Sequence, residues 1–164
     1  MSVRKSSFLP FVAPDTRVVI LGSLPGEASL VAGRYYAHPQ NQFWRLIGGV
    51  IGQDIASLDY DTRLAALRSA GVGLWDTVAS AVREGSLDGA LREVEGNSLS
   101  DLVASLPALR AIGFNGATAA KIGRKALGAT PLALIDLPSS SPAHARMTLS
   151  EKAQRWKSLR EFLD

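Results

Sequence analysis

The run Val18-Val-Ile-Leu21 is apolar at every position and is followed at once by Gly22-Ser-Leu-Pro-Gly26. A strand with one wet face would alternate polar and apolar residues. Four consecutive, mostly β-branched apolar residues instead predict a strand over Arg17–Gly22 that is buried on both faces. Strands of that kind belong to parallel sheets covered by helices, and ligands of such sheets sit on the loops that follow the strands. The glycines and the proline of the first loop allow close approach to a ligand, but no side chain from Gly22 to Gly26 is an evident acid, base or activated nucleophile.

The rest of the chain supplies the partners that such a strand needs. Short apolar strands are predicted over Val72–Trp75, Leu109–Phe114 and Pro131–Leu137. Between and around them, helical spacing of apolar residues predicts helices from Pro39 to Ile51, from Thr62 to Ala70 with Leu64 and Leu67 inward, and from Ala117 to Leu127, stopped by Gly128. Ser98 is placed to cap a helix that ends before Pro107, and a further short helix is expected around Leu87–Glu93. Thr148 and Glu151 have capping-box spacing for a last helix with Trp156, Leu159 and Leu163 on its buried stripe. The expected architecture is α/β, a three-layer fold with a four-stranded parallel sheet flanked by helices. Residues 1–164 are expected to form one domain.

Composition removes several chemistries. There is no cysteine, which excludes disulfides, thiolate nucleophiles and cysteine-ligated clusters, and two histidines make a histidine-rich metal site improbable; no metal and no cofactor is expected. A net charge of +3 permits an anionic partner without requiring one. No apolar stretch has membrane-spanning length and no signal-peptide pattern opens the chain, so a cytoplasmic protein without membrane contact is expected. The P-loop spacing, GxGxxG and GxSxG are all missing.

The loops after the strands hold the candidate residues. Tyr35-Tyr36-Ala-His-Pro-Gln-Asn41 precedes a helix, and its aromatic rings suit either stacking on a flat ligand or half-buried packing. Ser139-Ser140-Ser141-Pro142-Ala143-His144 lies after the fourth strand, where three serines suit either phosphate contact or an ordinary polar turn. Lys121, Arg124 and Lys125 share one helix face, best read as solvated.

Taken together, "GSLPG…SL…YYAHPQNQFW", "GVGLWDTV", "REGSLDGAL", "GFNG" and "LPSSSPAHA" resemble, in order and spacing, the uracil-DNA glycosylase superfamily, and within it the hypoxanthine-DNA (deoxyinosine) glycosylase branch, next to the mismatch-specific uracil glycosylases. The resemblance covers roughly residues 5 to 163. It implies a monomeric, monofunctional repair enzyme that flips a deaminated base (hypoxanthine or uracil) out of DNA and hydrolyses its bond to deoxyribose. Gly22, Ser23, Leu24, Pro25 and Gly26 then match the first signature motif, lying against base and sugar. Tyr36 matches the stacking aromatic, and Asp76 the polar residue at the base edge. Ser139, Ser140, Ser141, Pro142, Ala143 and His144 match the DNA-holding second motif.

Leu24 stands where many relatives carry Asp or Asn, and Ser139 where many carry His, so the resemblance assigns catalysis to Asn41. Ala143 is too small to fill the gap left by a flipped base, which leaves His144 or Met147 for that task. Read as a carboxylate, Asp76 would accept a hydrogen bond from hypoxanthine N1–H or uracil N3–H and penalise adenine; its other reading is a structural turn at Asp76–Thr77. The missing acid and histidine also fit a second possibility, a catalytically silent DNA-binding module on the same fold. A small phosphate-binding protein with no role on DNA is the third.

Overall fold

The computed structural model describes residues 3–164. Its centre is strand β2 (Val18–Gly22), buried at every position. Because side chains alternate across a strand, Val18 and Ile20 enter one core and Val19 and Leu21 another. Strand β3 (Val72–Asp76) pairs parallel on one side of β2 and β6 (Ala111–Asn115) on the other, with β7 (Ala133–Leu137) beyond; the order is β3-β2-β6-β7.

Helices α2 (Phe43–Ile51), α3 (Tyr60–Ala70) and α6 (Leu149–Trp156) cover the first face through Phe43, Leu46, Ile47, Val50, Leu67 and Trp156. Helices α4 (Leu99–Ser105) and α5 (Ala117–Leu127) cover the second through Leu99, Leu102, Ala119 and Ala120. The three-layer α/β fold with a four-stranded parallel sheet is as expected. The capping box of Thr148 and Glu151 is formed, and Leu159 joins Trp156 in the core.

Several expectations shift. The expected helix around Leu87–Glu93 is a 3-10 turn at Asp88–Ala90 followed by strand β5 (Arg92–Gly96). This strand pairs antiparallel with β4 (Val78–Val82), whose other edge takes β1 (Arg4–Ser6), giving a second sheet of order β1-β4-β5. Every residue of β5 is exposed, so no apolar stripe could have fastened a helix there, whereas the open edge of β4 offers backbone partners. The first loop contains a short helix, α1 (Glu27–Ala32), closed by Gly33. Helix α2 starts at Phe43, not Pro39; Gln42 is its N-cap residue, and Asn41 Oδ1 just before it accepts from the Phe43 N–H. Helix α3 starts two residues before the expected Thr62, at Tyr60, because Asp59 caps it by accepting from the Thr62 N–H at 3.2 Å. Ser98 holds the N-cap position of α4 without a side-chain hydrogen bond. Among the described residues no helix is long and apolar enough to cross a membrane.

Candidate active site

The carboxyl ends of β2, β3, β6 and β7 open into one cleft of about 450 Å³. Every residue from Gly22 to Gly26, together with Tyr36, Asn41, Asp76 and every residue from Ser139 to His144, lines it. Lys121, Arg124 and Lys125 do not; they are exposed, and Arg124 pairs with Asp136 at 3.0 Å.

The floor is backbone. Strand β2 runs on into the loop as Thr77 N–H donates to Gly22 O and Val78 N–H to Ser23 O. The Leu24 side chain turns away into a small core with Val78 and Ala81. Arg83, 1% exposed, braces the loop by donating to the carbonyls of Leu24 and Pro25. Ser23 donates to Asp88. A Cβ on Gly22 would lie 2.7 Å from Asp76 Oδ1 and 3.3 Å from the Tyr36 hydroxyl, so glycine is needed there for space. At Gly26 a Cβ would meet only ordinary contacts with Ser86, which makes Gly22 the demanding one of the pair.

The walls are aromatic and amide. Tyr36 lines the cleft and stacks on Phe43, with ring centroids 3.9 Å apart and planes 12° from parallel. Its φ of 52° is unusual for a non-glycine residue and is held by Trp44 Nε1–H donating to Tyr36 O at 3.1 Å. Burial, then the Asp76 carboxyl, raises its hydroxyl pKa. Tyr35 is packing: its ring is buried edge-on to Phe8 and its hydroxyl donates to Leu9 O. Asn41 Oδ1 accepts from Phe43 N–H at 2.9 Å. Because an N–H can only donate, this contact fixes the amide's orientation, with Nδ2 able to donate and the second lone pair of Oδ1 able to accept in the cleft.

Asn115 ends β6 and clamps the serine loop. Its Oδ1 accepts from Ser140 N–H and its Nδ2 donates to Ser140 Oγ, both at 2.9 Å, while a longer 3.4 Å contact reaches the Tyr36 hydroxyl. Ser140 is thereby buried at 1% exposure and built into the wall. Ser139 Oγ accepts from Ser141 N–H and Ser141 Oγ from Ala143 N–H, so two more hydroxyl oxygens shape the turn. Ser140 O accepts from Gln42 N–H, and the buried Lys152 donates to Gln42 Oε1 at 2.9 Å, tying α2, α6 and the loop together. His144 is half-buried, with Nε2 enclosed and unpartnered.

Asp76, the last residue of β3, is 4% exposed, and its Oδ2 has no hydrogen-bond partner. Desolvation, reinforced by Asp88 and only partly opposed by Arg83, pushes its pKa up to about 8. Asn115, Asp88 and Leu87 are among the cleft residues that sequence reasoning did not assign a role, and Arg83 braces the loop behind them. Asn115 had a signal, since like Asp76 it is a polar residue closing a buried strand. Leu87, 62% exposed at the cleft, is marked only by the structure.

The fold and this cleft define a three-layer α/β class with a backbone-floored pocket at the carboxyl ends of its parallel strands. Residues 9–162 match the family model of the uracil DNA glycosylase superfamily, and the chain belongs to that superfamily. It is 42% identical over 114 residues (70% of this chain, 72% of the relative) to a protein of Methanosarcina barkeri named hypoxanthine DNA glycosylase. A protein of the same name from Methanosarcina acetivorans is 35% identical over 155 residues, covering 94% of this chain and 97% of its own. Among solved structures, the solution NMR structure of a candidate uracil DNA glycosylase from Methanosarcina acetivorans superposes with a TM-score of 0.85 at 34% identity, covering 98% of this chain and 99% of that one.

Proposed function

We propose that this DNA glycosylase removes hypoxanthine, and uracil as a second substrate, by hydrolysis in the cleft at the carboxyl ends of the parallel strands. The observation that carries the reading is the convergence on one cleft of a stacking aromatic, a base-edge carboxyl and an amide donor: Tyr36, Asp76 and Asn41. The names of the two Methanosarcina relatives support hypoxanthine as the principal base.

In this reading the flipped base lies on the free face of Tyr36 with its edge toward Asp76, and the glycine floor lets the sugar approach. The glycosidic bond breaks as the sugar becomes oxocarbenium-like and negative charge gathers on the base. Positioned donors of the kind found here are typically worth roughly 3–4 kcal/mol in such a transition state. Asn41 positions the water by hydrogen bonding, through Nδ2 or the second lone pair of Oδ1, and as a neutral amide takes no proton from it. That suits a dissociative reaction, in which the sugar cation needs only a nearby, weakly activated water. Among the described residues no lysine lines the cleft, which fits a monofunctional enzyme acting without a Schiff base.

At the mouth, Leu87 is the large apolar side chain offered to the gap in the duplex. Ala143 is too short, and His144 has its Nε2 enclosed. The protein acts as a monomer. Asn41→Ala tests the chemistry: single-turnover base release from a deoxyinosine duplex falls by about a hundredfold or more while DNA affinity is kept. Release at the wild-type rate would remove Asn41 from the mechanism.

A further inference from the structure

Resting on the glycosylase reading, we propose that Asp76 works as a neutral carboxylic acid, its O–H donating to the exocyclic oxygen of a lactam base while its second oxygen accepts from the adjacent ring N–H. The carboxyl is enclosed, one oxygen lies against Gly22 and the other has no donor from the protein. The groups that face it from the surrounding elements are the Tyr35 and Tyr36 hydroxyls, the Asp88 carboxylate and the Arg83 guanidinium. Asp88 has the same sign of charge. Arg83 is itself desolvated and is bonded to the carbonyls of Leu24, Pro25 and Gly85, not to Asp76. An ionised carboxylate there would be a buried charge without a partner, which proteins avoid by retaining the proton. The upward shift of Asp76, to about 8, agrees.

A carboxylate can only accept, whereas a neutral acid both donates and accepts and so matches the paired C=O and N–H of hypoxanthine or uracil. During cleavage the electron pair of the C1′–N bond passes to the base and is delocalised onto its exocyclic oxygen. The Asp76 O–H then faces the atom where charge gathers, and an ionised Asp76 would oppose it. Water adds to C1′ and gives its proton to solvent, and the released base anion takes a proton from solvent. Asp76 keeps its own. The penalty against adenine expected from a carboxylate disappears, since a neutral acid can also pair with an amidine edge. Adenine is refused because it is the poorer leaving group.

The test is the single-turnover rate of hypoxanthine release from a duplex with one deoxyinosine, measured from pH 6 to 8.5 for wild type and Asp76→Asn. An amide donates and accepts but does not titrate. The wild-type rate should fall about fourfold over this range, as for a group titrating near 8. The variant, slower at pH 6, should lack that fall. An infrared difference spectrum should show a protonated-carboxyl C=O band at pH 6.5 in wild type only. A flat or rising wild-type profile, the same falling limb in the variant, or no such band would overturn the proposal. Absence of release at every pH with the band present would instead overturn the glycosylase reading, and the catalytic role of Asp76 with it.

Discussion

At Gly22 one missing methyl group decides how closely three side chains can gather. A Cβ there would press on Asp76 Oδ1 at 2.7 Å, beneath the Tyr36 hydroxyl, and both neighbours are wedged in the cleft wall. Gly22→Ala therefore displaces the carboxyl by a fraction of an ångström or more. Base release should fall by roughly a hundredfold for a misplacement of that kind, with a stability cost of about 1–3 kcal/mol from overpacking. Stopped single-turnover assays alongside urea denaturation measure the two separately. Undiminished release would show that the carboxyl needs no fixed place. Tyr36 makes the complementary point. A left-handed non-glycine residue costs about 1–3 kcal/mol, and such strain persists only where surrounding contacts over-determine it. Here Trp44 and Phe43 hold the ring in the cleft wall.

At the scale of elements, the hairpin of β4 and β5 does what the four-stranded sheet cannot. It carries Arg83 under the first loop and Leu87 and Asp88 over the cleft. Leu87→Ala should slow release from duplex DNA on the order of tenfold, because the unstacked step is left unfilled. Release from a single-stranded deoxyinosine oligonucleotide, which has no gap to fill, should suffer far less. Equal losses on both substrates would make Leu87 part of the pocket and not a wedge.

This hairpin is also where the sequence was least legible. Val18–Leu21 and the other core strands announce themselves through continuous apolar runs, and α2, α5 and α6 through apolar spacing, so the sheet and its helical layers could be read directly. Strand β5 is exposed at every position and exists because β4 offers an edge, a tertiary cause without a local pattern. The cleft lining was legible for the same reason as the sheet, since loops after buried parallel strands converge. The state of its groups was not. Only burial without a partner points to Asp76 keeping its proton, and only the Phe43 N–H shows how the Asn41 amide is turned.

For the whole molecule, Asp76 makes stability depend on pH in a defined sense. An unfolded aspartate loses its proton near pH 3.9, while the folded one holds it up to about 8. Between these values the unfolded chain binds fewer protons, so stability falls as pH rises through that window and levels off above it. Relative to wild type, Asp76→Asn should gain stability from pH 4 to pH 8, by up to about 1.4 kcal/mol per pH unit. Urea titrations at pH 4.5, 6 and 7.5 read this difference; a constant offset would mean that Asp76 is ionised in the fold.

The assignment of the cleft as the place where a base is cut from its sugar underlies every residue role above. Its most direct test is mass-spectrometric detection of free base after single-turnover incubation with duplexes that carry one deoxyinosine, one deoxyuridine or neither. The result expected is release of hypoxanthine, with uracil released more slowly, nothing from the undamaged duplex, and a strand that breaks only on alkali treatment. Tight binding of the deoxyinosine duplex with no base released would contradict it and leave a silent DNA-binding module in its place.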